Sequence, residues 1–446
     1  MLVGTVSSLN LQRPCSMAIR LNPFMVLAWL LALMLSPETL AALGRLAGRY
    51  GPAFGLPLVG ALLLHGLNIA AGPWSRAMTP RGGVLEDFSA SLRPLVALPV
   101  VAVCMATAAL VTSGFVFNEV FVFWFPNFGF AALLLAVLLA VNLGGPRSAA
   151  VAQALLTTTA LIGLIVLTLT GLFVPHSGTP EAEAAAGRLD LRGLGLGLVA
   201  FLGYDLIRYV APNLDRRRVR PFMFVAVACG AFTMWAWNIT ALIHLPPSRL
   251  ADTSIPHILA AKAIMGQNGR IVMGIVVIAG SLAATNLLFR AAARMLAGRI
   301  ENGLMRPVAG FSPTRPWLPL IALTGLSGLL MAAGFAGSNW LDVSLRAGLI
   351  LWLIGMGLDH LPPLLNARRR NGEKTAQRMV VHLILLVGMT TPGIALVMTD
   401  ENSGMLVRAL LTLTAIAAVM AATGRFAAGR QTTNRHRKAS LNKEGV

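Results

Sequence analysis

The sequence predicts an all-α polytopic membrane protein with about 12 transmembrane helices. Three observations carry that prediction. The 446 residues are 56% hydrophobic and 12% charged, with a mean hydropathy of +0.73, a balance unlike that of two or three soluble domains. Apolar runs of about 20 residues, long enough to cross a bilayer, recur along the chain. Basic residues collect in every second gap between those runs, so that about 27 of the 36 Lys and Arg fall on one side. That is the positive-inside distribution of a multi-pass protein.

The runs lie at 22–49, 52–72, 94–118, 126–144, 149–174, 192–212, 221–245, 270–293, 317–337, 340–362, 379–399 and 404–424. The basic gaps hold Arg76, Arg81 and Arg93, then Arg216 to Arg220, Arg290 to Arg315, Arg368 to Arg378, and the tail from Arg425. Both termini are therefore expected on the cytoplasmic face of a cell inner membrane. The order reads as a tail (1–21), a first set of five helices (22–174), a second set (192–362), two additional helices (379–424) and a basic tail (425–446). Segment 176–190, with His176, Glu181 and Glu183, is expected as a polar outer loop, and 246–269 as an outer segment holding short helices. Trp74, Trp124, Trp317 and Trp340 stand near span ends, where indole rings favour the headgroup region.

Composition also excludes several functions. The formal charge of +19 reads as cytoplasmic loops held against an anionic leaflet. It does not read as a nucleic-acid surface, because no aromatic residues interleave with the Arg-rich tail. Cys15, Cys104 and Cys229 form no spaced motif and are expected reduced, the last two buried. No histidine lies three to five residues from another, so no His-based metal site is expected. There is no G-x-x-x-x-G-K-[ST] loop, no acid/base pair and no nucleophile–His arrangement. The chain calls for no cofactor and is not read as an enzyme. The first 20 residues lack a signal-peptide core, and Met17 competes with Met1 as the start.

Two spans read as interrupted. The first contains Ser36-Pro37-Glu38-Thr39: a capping hydroxyl, a proline suited to the first helical position, and an acid at the positive end of the helix dipole. A start signal inside an apolar run implies two half-helices, with a proline kink as the simpler alternative. The sixth span carries Phe201-Leu202-Gly203-Tyr204-Asp205 near its centre. Gly203 eases a break, and Asp205 is costly in lipid unless it faces protein or water. Broken helices in corresponding positions of two halves point to a midplane binding site.

At these residues the chain resembles the amino acid–polyamine–organocation (APC) superfamily. Val141-Asn142-Leu143-Gly144-Gly145-Pro146-Arg147-Ser148 with Gln153 is similar to the start of that family's fifth helix. Ala200 to Pro221 resembles its sixth helix and following loop, and Gly280 to Pro307 its eighth helix and basic loop, with Pro256 in the preceding outer segment. The resemblance implies a five-plus-five inverted repeat with two broken helices and two extra helices, and a substrate held between spans one, three, six and eight. Two features depart from it. Where the family carries Gly-x-Gly at the first break, this chain has Ala32-Leu33-Met34-Leu35, which weighs against reception of an ordinary α-amino acid by bare backbone. Where some proton-coupled members carry a lysine in helix five, it has Thr157-Thr158-Thr159.

The expected substrate contacts are Leu33, Met34, Ser36, Phe201, Gly203, Tyr204, Asp205, Ser281, Thr285 and Asn286, with Asp205 and Glu38 as coupling candidates. Each has a plainer alternative: Asp205 pairing with Arg208 one turn away, Glu38 as a helix-start carboxylate, the small polar residues bonding between helices, Phe201 packing. Asp342/Arg346 and Asp359/His360 read as structural pairs, and Glu119 as solvated. The expected activity is secondary active transport of an amino acid, amine or related nitrogenous metabolite by alternating access. Its partners are the small-molecule substrate, the lipid bilayer and a coupling proton or sodium ion. The alternative is a non-transporting sensor or membrane subunit of a complex.

Overall fold

The computed structural model describes residues 22–72, 92–175, 190–211, 214–301, 317–367 and 373–422. The two tails, Cys15, Trp74, Arg76, Arg81, the loop with His176, Glu181 and Glu183, and the basic loop to Pro307 lie outside the described residues.

The first span is two helices, α1 (Pro23–Leu31) and α2 (Pro37–Tyr50), and the second is α3 (Gly55–Ala71). A π turn at Leu92–Ala97 leads into α4 (Leu98–Val120), followed by α5 (Asn127–Leu143) and α6 (Pro146–Phe173). The sixth span is again divided, into α7 (Leu191–Ala200) and the short α8 (Ile207–Val210). Then come α9 (Arg216–His244), α10 (Pro247–Asp252) and the long α11 (Pro256–Glu301). The remainder is α12 (Trp317–Ala332), α13 (Asn339–Leu358), α14 (Leu361–Ala367), α15 (Glu373–Met398) and α16 (Ser403–Ala422).

Among the described residues, nine helical stretches are long and apolar enough to cross a membrane. One of them, Pro37–Ala71, holds two crossing arms, and the shorter Asn127–Leu143 and Trp317–Ala332 supply two more crossings. The twelve predicted spans are therefore all present. The expected outer segment 246–269 is built from α10 and the first turns of α11, which bends at Gly266 (φ 61°, ψ −136°) before crossing.

Local chemistry sets the helix starts. Asp190 accepts from the Gly193 amide at the head of α7, Asp215 from Arg217 at α9, and Ser338 from Leu341 at α13. Helix α11 is the central post, packed along α6 and α4, and 72% of its apolar window is buried against 11% for α16. Both broken spans pack against α11, and α16 lies on the outside of the bundle. Trp124, Trp317 and Trp340 are exposed near helix ends. Cys104 is buried as expected, but Cys229 is exposed: an apolar run does not tell a lipid-facing position on α9 from a core-facing one.

Candidate functional site

The first break is an unwound turn rather than a proline kink. Ser36 takes an extended conformation (φ −69°, ψ 152°), and its Oγ accepts from the Thr39 amide at 3.2 Å. Pro37 occupies the first helical position and Glu38 the first turn. The carbonyl freed at Leu33 accepts from the Ser36 amide at 3.2 Å and from Thr39 Oγ1 at 3.1 Å. The side chain of Thr39 thus satisfies an acceptor that an unwound, buried backbone would otherwise leave open. Thr157 Oγ1 on α6 donates to the Ala28 carbonyl of α1 at 3.1 Å and accepts from Gln153.

The second break turns on Gly203, whose φ of 105° is open to glycine and strained for any other residue. Beyond it, Tyr204–Leu206 form one 3-10 turn before α8. The two breaks face each other: a Cβ at Gly203 would stand 2.9 Å from Leu33 Cβ and Cδ2. The next two residues also pack on glycines of other helices, Met34 by its side chain and Leu35 by its backbone. A Cβ at Gly230 on α9 would meet Met34 Sδ at 2.6 Å, and one at Gly280 on α11 would meet the Leu35 carbonyl at 2.4 Å. Leu33, Met34 and Leu35 are buried, so the first break packs closely against three glycines, through the side chains of Leu33 and Met34 and through the Leu35 carbonyl.

Phe201, Tyr204 and Asp205 are all buried at the second break. Asp205 Oδ2 lies 3.5 Å from Arg208 Nη2 and 3.6 Å from Arg93 Nη1, and Arg93 Nη2 lies 2.9 Å from Asp359 Oδ2. One cluster of two arginines and two aspartates therefore ties the base of α4 to the second break and to the end of α13. The Arg208 pairing was the plain alternative for Asp205. Arg93 was assigned by sequence to a basic gap, yet its side chain is 8% exposed: two carboxylates from distant spans compensate its desolvation.

A second buried chain runs beside this cluster. His65 Nε2 sits 2.9 Å from the Leu198 carbonyl, which can only accept, so Nε2 donates. His65 Nδ1 then accepts from Tyr204 Oη at 3.1 Å, and Asn68 Nδ2 donates to Tyr204 Oη at 2.7 Å. His360 Nε2 donates to Asn68 Oδ1 at 2.9 Å and His360 Nδ1 accepts from His382 Nδ1 at 2.9 Å. Every link has one donor and one acceptor. The chain joins α3, the second break, the α13–α14 turn and α15. His360 was expected to pair with Asp359; it bonds instead to Asn68 and His382, and Asp359 turns to Arg93.

The predicted α11 residues divide. Asn286 faces α5 and α6: its amide donates to Gln153 Oε1 at 2.8 Å and accepts from Asn142 at 2.7 Å. It belongs to a satisfied network between helices. Ser281 Oγ and Thr285 Oγ1, and Glu38 Oε2 on α2, are buried polar atoms without a hydrogen-bond partner. A buried polar atom of this kind calls for a partner, which an ordered water or a bound group can supply. Elsewhere, Arg346 bonds to Asp342 at 2.6 Å and to Asp400, and Glu119 lies 3.8 Å from Arg270.

At the far end of α2 from the break lies a cavity of about 220 Å³ among α2, α7, α13 and α15. Arg45, Arg49, Arg192, Arg346 and Asp400 line it together with Leu46, Leu196 and Ile350.

Residues 74–405 match the family described as "Amino acid permease". The chain belongs to that family. The fold agrees with the match. The crystal structure of the Eremococcus coleocola manganese transporter in complex with an aromatic bis-isothiourea substituted compound superposes with a TM-score of 0.56 at 11% identity, covering 91% of this chain and 93% of that one. Two forms of the same transporter with single substitutions superpose at 0.55, with the same identity and coverage. At that identity the likeness is one of fold. No curated protein sequence matches the chain. The permease is thus a multi-pass membrane transporter of APC-type architecture, built around two broken helices.

Proposed function

We propose that this permease moves an amino acid, amine or related small nitrogenous metabolite across the inner membrane by alternating access, with both termini cytoplasmic. The observation that carries the reading is the apposition of the two breaks, Leu33 against Gly203, at the centre of the fold. Breaks so placed let one half rock on the other around a fixed site. The Arg93–Asp205–Asp359 cluster acts as the clasp on the cytoplasmic side, and the cavity at the far end of α2 is the vestibule on the other. Ser281, Thr285 and the first turn of α2 contribute the polar substrate contacts, while Leu33, Met34, Phe201 and Tyr204 shape the apolar wall.

Coupling to a proton or sodium gradient is assigned to Glu38 ahead of Asp205. Asp205 is paired with two guanidiniums, whereas Glu38 has no cationic side chain within 4 Å among the described residues. The named neighbour transports manganese. Among the described residues here, no three His, Cys, Asp or Glu side chains stand together to hold a metal ion.

The test is charge movement in proteoliposomes of the purified protein on addition of amino acids and amines, at two pH values, with and without sodium. A saturable current for one compound class, altered by Glu38→Gln in its ion dependence, is the expected result. Current that ignores both pH and sodium in wild type and variant alike would remove the coupling assignment. A second reading, a sensor or membrane subunit, is favoured by the filling of the midplane by Leu33, Met34 and Leu35. It predicts ligand binding without flux and a stoichiometric protein partner on purification.

A further inference from the structure

The charge pattern leaves about nine of the 36 Lys and Arg on the sparsely basic face. Four of them, Arg45, Arg49, Arg192 and Arg346, line the cavity beside α2, against one lining carboxylate, Asp400. They come from three different spans, so no one basic loop brings them together.

The nearby carboxylates are already engaged. Asp342 and Asp400 both pair with Arg346. Asp190 accepts from the Gly193 amide and from the Tyr50 hydroxyl at 2.7 Å. Arg45, Arg49 and Arg192 have no carboxylate within 4 Å among the described residues, and Arg45 and Arg49 are exposed. Three forked cations thus face one space with their donors uncommitted, above an apolar wall of Leu46, Leu196 and Ile350. Guanidinium forks match carboxylate geometry, and apolar walls suit a hydrocarbon remainder. Helix α2 runs from this cavity to Glu38 and the first break: Arg45 stands seven residues beyond Glu38, about 10 Å along the axis.

We infer that the cavity is a receiving site for a small carboxylate-bearing solute, which selects anionic over cationic substrates before they reach the breaks. The inference rests on the transport reading above and narrows its substrate class.

The experiment uses the full chain in nanodiscs of zwitterionic lipid, with binding of glutamate, putrescine and inorganic phosphate measured by calorimetry at low and high salt. Glutamate is expected to bind saturably, more tightly than phosphate, and more weakly at high salt; putrescine is expected not to bind. Combining Arg45→Gln with Arg192→Gln is expected to weaken glutamate at least ten-fold, and the corresponding lysine pair to weaken it less. Glutamate binding unchanged in the glutamine pair, putrescine binding as well as glutamate, or phosphate binding more tightly than glutamate would each overturn the inference. So would loss of glutamate binding when anionic lipid is added, which would make a lipid headgroup the occupant. Arginine-dependent binding without flux would refute the transport reading and leave the site standing. Glutamate flux untouched by the glutamine pair would refute the site and leave transport standing.

Discussion

Replacing Gly280 by alanine tests the interlock of the two breaks. A Cβ at this position would lie 2.4 Å from the Leu35 carbonyl oxygen, and ordinary contact begins near 3.4 Å, so the first break and α11 must separate by about 1.0 Å (3.4 − 2.4). The obstructing atom is backbone at a turn already fixed by Ser36 and Thr39, so no side chain can swing aside. Overpacking of this kind costs about 1–3 kcal/mol. The better helix propensity of alanine, about 1 kcal/mol, cancels only the lower end of that range, and an obstructing atom that cannot move puts the cost toward the upper end. Gly325 on α12 is the control: a Cβ there meets nothing within 4 Å, so the same substitution is expected neutral or stabilising by about 0.4–1 kcal/mol. The assay is thermal unfolding of both variants in one detergent. Gly280→Ala unfolding well below wild type, with Gly325→Ala at or above it, is the expected pair of results. Equal stability of the two would refute the interlock.

Three further outcomes follow from the same geometry. Arg93→Leu removes the cation shared by Asp205 and Asp359, and loss of one member of a buried ion pair costs about 3–5 kcal/mol; a double-mutant cycle with Asp205→Leu in thermal unfolding should show strong coupling, and additive losses would contradict the cluster. Ser36→Ala deletes the cap of α2 and should destabilise by about 1 kcal/mol, with Ser36→Gly costing only a few tenths; hydrogen exchange at the Thr39 amide reports it directly. His360→Leu leaves Asn68 Oδ1 without its donor, at about 1–3 kcal/mol, and should raise exchange around Tyr204; unchanged exchange there would count against a continuous chain.

The two breaks were legible in the sequence because their signals are local. Ser36-Pro37-Glu38 is a helix start wherever it occurs, and Gly203 beside Asp205 marks a weak point in an apolar run. The spans were legible because hydropathy and charge alternate at bilayer length. What stayed hidden depends on pairing across the fold. Arg93 looks like one more cytoplasmic arginine until α13 brings Asp359 to within 2.9 Å. His65, His360 and His382 are too far apart for any spacing rule, and they meet only because α3, α13 and α15 converge. The arginine cavity was hidden for the same reason, its lining being dispersed from residue 42 to residue 400. Asn286 looked like Ser281 and Thr285 in sequence, and its turn toward Gln153 is set by helix packing alone.

Flux is the most direct measure of transport by this permease. Exchange of a labelled amino acid across proteoliposomes of the purified permease detects transport whether or not charge moves. Saturable exchange, competed by unlabelled carboxylate-bearing compounds and absent from empty liposomes, is the predicted result. Stoichiometric binding of the same compounds with no exchange, in protein that is monodisperse and thermally stable, would contradict it.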